Sequence, residues 1–253
     1  MQLDRQDDLF CKRLLELANI SYQKGICTYT DFLNLNDINL FFNIRSELPP
    51  IQTILFGGYQ DSERKILCFY DENSFSKPEF PIDCIYIKPI HSKFSDNLNH
   101  RDFLGALTHL GLDRSKLGDI LIDENQCYLF CNNRISQFIA DQLNMIKHTN
   151  VSCEIVDFKE VNYTPNFVTI TGTVPSIRLD AILSVAFKTS RSSLSGLISG
   201  GKVYVNSKLV LSNSYMLKEG DVVSLRGHGK FLFKEINNQT KKGRFYITLL
   251  KYA

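Results

Sequence analysis

Between residues 83 and 158 the strand and helix signals fall in one order, and that order leaves few folds open. Asp83 to Lys88 reads as a strand, and Arg101 to Leu110 as a helix ended by Gly111. Gly118 to Ile122 and Gln126 to Cys131 read as two strands joined by the turn Asp123-Glu124-Asn125. Ile135 to Leu143 has helical spacing, and Val151 to Phe158 is strand-like. The order β-α-β-β-α-β is that of a ferredoxin-like, or RRM-like, sandwich.

The flanks are organised differently. Residues 1–50 read as helical: Leu9, Phe10, Leu14 and Leu17 give an apolar stripe beside Arg13, and a second helix over Asp37 to Glu47 is closed by Pro49-Pro50. Ile51 to Phe56 and Lys65 to Tyr70 read as a hairpin around Gly57-Gly58 and Asp61. Residues 161–175 read as one strand, Phe167 to Thr171, plus a linker rich in Thr and Pro. The expected class is α+β: an N-terminal helical region (1–50), an RRM-like domain (51–160), the linker, and a C-terminal domain over 176–253.

Charge separates the last of these from the rest. Residues 176–253 hold 13 Lys/Arg against four acids (Asp180, Glu219, Asp221 and Glu235), a net of +9. The other residues hold 16 Lys/Arg against 23 Asp/Glu, a net of −7. A basic module on an acidic body points to a polyanion partner for the module. No run of about 18 apolar residues exists, which argues against a transmembrane helix. The polar start, Met1 to Asp8, argues against a signal peptide. The seven cysteines are odd in number and scattered, as in a cytoplasmic protein with reduced thiols. Cys127 and Cys131 have no neighbouring histidine, so core packing is the better reading than a metal site.

RRM folds stack unpaired bases on sheet-face aromatics. Tyr128 and Phe130 lie two apart and share a face. Their segment lacks the basic and glycine positions of an RNA-reading RRM strand, so packing is expected of them.

The C-terminal domain carries the most specific pattern. Leu179, Ile182, Leu183 and Ala186 give one apolar helix face, and Ser190 suits the N-cap of a second helix burying Leu194, Leu197 and Ile198. Gly200-Gly201 ends that helix. Val203 and Val205 alternate as a half-buried strand, Asn206-Ser207-Lys208 makes a tight turn, and Lys218 to Asp221 makes another before Val222 to Leu225. A terminal hairpin follows, from Lys230 to Leu250, with Thr240-Lys241-Lys242-Gly243-Arg244 at its tip.

Arg178-Leu179-Asp180, Arg191, Leu197-Ile198-x-x-Gly201-x-Val203-x-Val205-Asn206 and Gly220-Asp221-x-Val223 together resemble the S4 RNA-binding domain. The resemblance implies a basic surface for structured RNA, with Arg178, Arg191, Lys202, Asn206 and Lys208 as contacts. The arginines suit bidentate phosphate binding, the lysines supply point charge, and Asn206 suits a 2′-OH or base edge. Asp180 is expected to be a local charge or cap partner; for Asn206, holding the turn and touching RNA are equally open. Lys218 reads as a solvated turn residue. Lys241, Lys242 and Arg244 extend the surface.

His100 to Leu107, Leu110 to Ile120 and the tip 240–244 are similar to the YlmH family of bacterial S4-domain proteins, from about residue 50 to the end. That resemblance implies a cytoplasmic protein binding ribosomal RNA, the large ribosomal subunit and tRNA, with a role in rescuing stalled nascent chains. A link to cell division is also implied. Arg101, Arg114 and Lys116 are secondary candidates for RNA contact, against the reading that Arg101-Asp102 and Asp113-Arg114 are local ion pairs. A monomer without membrane contact is expected.

Two rival classes remain. A pseudouridine-synthase type enzyme is suggested by Arg178-Leu179-Asp180, yet that triplet lies inside the S4 helix, and the middle of the chain is too short for a catalytic domain. His91, His100, His109, His148 and His228 form no Cys/His or Ser/His/Asp pattern, and no phosphate loop follows a strand. No catalytic residue, metal or cofactor is therefore expected. A protein-interaction adaptor, docking through the acidic body, is the other reading.

Overall fold

The computed structural model describes residues 5–72, 78–91, 93, 95–160, 167–241 and 243–252. It divides into two compact units, Met1–Tyr163 and Thr164–Ala253.

The first unit begins with α1 (Arg5–Lys24), which buries Leu14, Leu17 and Ala18. Strand β1 (Thr28–Leu33) follows, then α2 (Leu35–Ile44), β2 (Gln52–Phe56) and β3 (Lys65–Tyr70). Asn34 caps α2 through the Asn36 and Asp37 amides while Asp37 returns a bond to the Asn34 amide, a reciprocal box that fixes the helix start. The hairpin over 51–70 is present, with Gln52 opposite Tyr70 and Phe56 opposite Ile66. The helical reading of residues 1–50 needs correction. β1 pairs with β3, giving a three-stranded sheet of order β1-β3-β2. Leu67 and Phe69 of β3 share a core with Leu14, Ile38 and Phe41 from the helices. The hairpin thus completes the N-terminal module rather than opening the middle one. In β1 the residues Thr28, Thr30, Phe32 and Leu33 are buried, but a register shift between Tyr29 and Phe32 interrupts the alternation, which is too short to register between two helices.

The second half of this unit has the expected order. It comprises β4 (Ile82–Pro89), α3 (His100–His109), β5 (Leu117–Asp123), β6 (Gln126–Asn132), α4 (Asn133–Gln142), a short β7 (Met145–Ile146) and β8 (Thr149–Val156). The antiparallel sheet runs β5-β6-β4-β8-β7, so the first and third long strands are central, as a split β-α-β sandwich requires. Phe103 and Leu107 of α3 and Ile139 of α4 pack on Ile85, Ile87, Cys127, Leu129 and Cys131. Cys127 and Cys131 are therefore core residues on one face, four apart along a strand. Burial raises both thiols, Cys127 well above the usual range.

The opposite sheet face is covered from within the same unit. Phe32 and Ile66 pack with Cys84 and Phe130, and Tyr59 stacks on Phe130 at 5.1 Å between ring centres. Gly118 allows this approach: a Cβ there would lie 2.7 Å from the Phe32 ring and 2.9 Å from Phe130 Cβ. Arg64 ties the layers together by donating to the carbonyls of Phe32 (2.9 Å), Arg114 (3.0 Å) and Leu117 (2.8 Å). Asp119 accepts from Tyr59 Oη (2.8 Å) and from the Glu63 and Arg64 amides (2.7 and 3.0 Å).

The second unit contains β9 (Phe167–Val174), α5 (Leu179–Phe187), α6 (Arg191–Ser199), β10 (Val203–Val205), β11 (Lys208–Leu209), β12 (Val222–Leu225), β13 (Gly229–Gln239) and β14 (Phe245–Tyr252). Its antiparallel sheet has the order β11-β10-β12-β13-β14-β9. Leu179, Ile182, Leu183, Leu194 and Ile198 of the helices bury against Val203, Val205, Val223, Phe231, Phe233, Ile247 and Leu249. Residues 167–174, read partly as linker, pair along their whole length with β14, from Phe167 opposite Tyr252 to Val174 opposite Phe245. The linker reading fails there because its alternation continues through Val174, whose partner lies 71 residues on. α6 closes as expected: Gly201 has φ +70°, its amide bonds the Ile198 carbonyl, and the Lys202 amide bonds the Leu197 carbonyl.

Candidate nucleic-acid interface

Two helix starts meet at one carboxylate. Arg178 occupies the N-cap position of α5 without capping it through its side chain, and Arg191 is the first residue of α6 behind its Ser190 cap. Both guanidiniums turn to Asp180. Arg178 donates through Nε (3.1 Å) and Nη2 (3.3 Å), and Arg191 through Nε (3.1 Å) and Nη2. The Ala181 amide adds a fifth bond at 3.0 Å. Burial pushes the Asp180 carboxyl up, but the bonds and charges of Arg191 and Arg178 outweigh this and hold it below the ordinary carboxylate range. The Asp180 side chain is 9% exposed, against 39% and 47% for the two arginines. The cluster is thus a buried anion holding two half-exposed cations, with a net charge of +1. It can orient both guanidiniums toward an outside phosphate.

The N-terminus of α5 is itself occupied. The Leu179 and Asp180 amides donate to the Tyr215 and Asn213 carbonyls at 2.8 and 3.3 Å. Attraction for an anion here comes from the arginines rather than from free helix amides.

The remaining candidates spread along the sheet. Asn206 and Ser207, at φ +48° and +66°, are the central residues of a two-residue hairpin turn between β10 and β11. The Asn206 side-chain Nδ2 donates to Asp221 Oδ1 (2.8 Å), and its Oδ1 accepts from the Val222 amide (2.9 Å). Asp221 also accepts from the Lys218 amide at 2.7 Å. Asn206 and Gly220-Asp221 of the sequence pattern therefore lock two turns together. Lys208 is exposed on this hairpin. Lys202 lies at the other end of β10, exposed, with its carbonyl accepting the Arg226 amide at 2.9 Å. That pairing brings exposed Arg226 beside it, a cation the motif did not point to. At the hairpin tip Lys241 is exposed, and Arg244 donates to the Thr173 carbonyl at 2.9 Å, fastening β9. Lys242 lies outside the described residues.

In the first unit the structure separates the three secondary candidates. Arg101 is exposed in the first turn of α3. Its expected partner Asp102 bonds Lys147 instead, at 2.7 Å. Arg114 is not paired to Asp113, which caps the 3-10 turn Arg114–Lys116 through the Ser115 amide. It turns inward to the carbonyls of Leu117 (3.2 Å) and Gly118 (3.1 Å). Burial, then the charge of Arg64, lowers it to about 10, so it stays protonated at neutral pH. Lys116 pairs with Asp31 of β1 at 2.6 Å. Both local ion-pair readings are corrected: capping and strand contacts won the carboxylates.

Phe130 lies under the N-terminal module and Tyr128 stacks on Tyr86, with ring centres 5.0 Å apart. Packing, as expected, is what both aromatics do. Among the described residues no cluster of three metal-binding side chains occurs, and no helix is long and apolar enough to cross a membrane.

A split β-α-β sandwich followed by two helices on a basic sheet, with an arginine pair at the helix starts, defines the class: S4-domain RNA-binding proteins. Residues 177–223 match the S4 domain model, and residues 76–160 match the model described as "Putative RNA-binding domain in YlmH". The chain is 31% identical over 249 residues to "Ribosome-associated protein quality control protein P2" of Bacillus subtilis (strain 168), covering 96% of this chain and 95% of that one. It belongs to the YlmH family. A solved structure titled "Cell division protein ylmH from Streptococcus pneumoniae" superposes with a TM-score of 0.52 at 21% identity, over 63% of this chain and 96% of that one. That likeness concerns the fold alone.

Proposed function

We propose that this protein is a non-catalytic factor that binds folded RNA on the ribosome through the Arg178–Asp180–Arg191 cluster of its C-terminal unit. The observation that carries the reading is the pair of half-exposed guanidiniums held on one buried carboxylate, within a unit of net charge +9. A fixed fork suits phosphate better than two mobile side chains, because less side-chain entropy is lost on binding. The name of the Bacillus subtilis relative supports ribosome association and a part in protein quality control; rescue of stalled nascent chains is the role proposed within it. Ribosomal RNA of the large subunit and tRNA are the proposed ligands. Lys202 with Arg226, Lys208, and Lys241 with Lys242 form the proposed outer contacts, with Arg101 as a separate cation. Asn206, Arg114 and Lys116 serve the fold.

The carboxylate of the Arg-Leu-Asp triplet speaks against a synthase reading. Asp180 is occupied by five hydrogen bonds, four of them from arginines that a nucleophilic carboxylate would have to give up.

The test is ribosome co-sedimentation of the Arg178→Ala/Arg191→Ala protein across a salt series. Loss of two phosphate contacts lowers the affinity and flattens the salt slope by roughly 1–2. Undiminished binding with an unchanged slope refutes the proposal.

A further inference from the structure

The loop between β11 and β12 displays three apolar side chains that the S4 core does not use. Leu211 is 51% exposed, Tyr215 39% and Met216 57%, within six residues of one another. Apolar side chains left in water singly are ordinary, but three within one short loop segment, here called the ridge, beside a charged site are informative.

The ridge is held in place by backbone bonds rather than by burying these side chains. The Tyr215 amide bonds the Ser212 carbonyl at 3.2 Å, the Tyr215 carbonyl accepts from Leu179, and the Leu217 amide bonds the Ile177 carbonyl at 3.1 Å. The Asn213 side chain donates to Ser195 of α6 at 2.7 Å. Arg178 and Met216 form an isolated antiparallel bridge, and residues directly opposite in such a pair stand side by side, with Cβ atoms about 5 Å apart. The ridge is therefore fastened to the helix start that carries Arg178, two residues before Asp180.

We propose that this ridge takes an unpaired RNA base while the neighbouring arginine cluster holds its phosphate. The inference rests on the RNA reading given above. The occupant is argued from charge. The cations around the ridge are Arg178, Arg191 and Lys218; of the acids, Asp180 lies between two arginines and Glu219 accepts from the Ile236 amide, which leaves a net positive surround. Such surroundings favour a partner that is anionic and also offers a flat apolar surface, as a nucleotide does. In a continuous duplex the base faces are stacked and closed to side chains, so only a loop or bulge can present one. The ridge would then make the S4 face prefer a stem with an unpaired loop over the stem alone, and supply a selectivity that phosphate contacts lack.

The test uses the full chain and two fluorescently labelled RNAs, a stem closed by an unpaired loop and the same stem as a blunt duplex. The wild type is expected to bind the loop form more tightly, by roughly five- to hundredfold for one stacked base. Tyr215→Ser/Met216→Ser should erase that preference while leaving duplex affinity and the salt slope unchanged. Tyr215→Phe, which keeps the ring, should preserve it. Arg178→Ala/Arg191→Ala should weaken both RNAs alike. If the wild type binds both RNAs with normal salt dependence and no preference, or the serine variant keeps the preference, the ridge proposal is overturned and the RNA reading stands. If neither RNA is bound in a salt-dependent manner, the RNA reading itself falls. Unchanged RNA binding by the serine variant, with loss of ribosome co-sedimentation, would assign the ridge to a protein and overturn the proposal.

Discussion

Replacing Asp180 by Asn tests the construction of the arginine cluster directly. The change keeps the size of the side chain and one acceptor oxygen but removes the charge that four guanidinium bonds use. A hydrogen bond to a charged group contributes roughly 1.5–3 kcal/mol when buried, whereas exposed ion pairs contribute about 0.2–1 kcal/mol. The carboxylate is buried but both arginine heads are near half-exposed, so about 1–1.5 kcal/mol per arginine is appropriate. Asp180→Asn should therefore destabilise the C-terminal unit by about 2–3 kcal/mol. Hydrogen exchange of the α5 and α6 amides in the full chain reports this unit alone and should speed up by roughly 30- to 150-fold where opening is global. The same contribution must titrate in the wild type. The folded Asp180 pKa is depressed below 3.8, so the stabilisation is complete above the unfolded value and is lost as pH falls through the folded one. The gap between wild type and variant should persist from neutral pH to about 5 and shrink below about 4. A gap under about 0.5 kcal/mol at neutral pH, or one that ignores pH down to 3, would refute the reasoning.

Other consequences are as direct. Gly58 has φ +103°, and a Cβ there would overlap the Phe130 ring, so Gly58→Ala should destabilise the first unit by about 2–4 kcal/mol, seen as a lower urea midpoint. Asn206→Ala removes two hydrogen bonds at a position with φ +48° and should cost about 2–3 kcal/mol in the C-terminal unit; Asn206→Gly should cost less, because glycine relieves the backbone term. Of the seven thiols, Cys68 and Cys84 are raised to about 12 and Cys153 to about 11, each chiefly by burial, and Cys11, Cys127 and Cys131 are buried. Alkylation at neutral pH, mapped by mass spectrometry, should therefore label Cys27 first and the remainder only on unfolding; early labelling of Cys127 would contradict the packing described.

What the sequence determined by itself was local or periodic. The β-α-β-β-α-β order, the Ser190 cap, the Gly201 terminus and the turn at Asn206 are short-range matters of spacing and backbone conformation, and each appears where the residues put it. The +9 module is a property of composition. Other features depended on residues far apart in the chain. β1 was illegible because six residues between helices carry little periodicity until β3, more than 30 residues on, provides a ladder. Phe167 to Thr171 reads as a strand, but the last three residues of β9 read as linker because their partner is the last strand. The role of Phe130 depended on which element covers the sheet face, and only packing placed the N-terminal module there. The choice of partner for each carboxylate was likewise tertiary. Asp102, Asp113 and Asp180 all stand within two residues of an arginine, yet Asp102 bonds Lys147, Asp113 caps a turn, and Asp180 alone gathers two arginines. Sequence proximity supplies candidates for an ion pair, but burial and the direction of each side chain decide which pair forms.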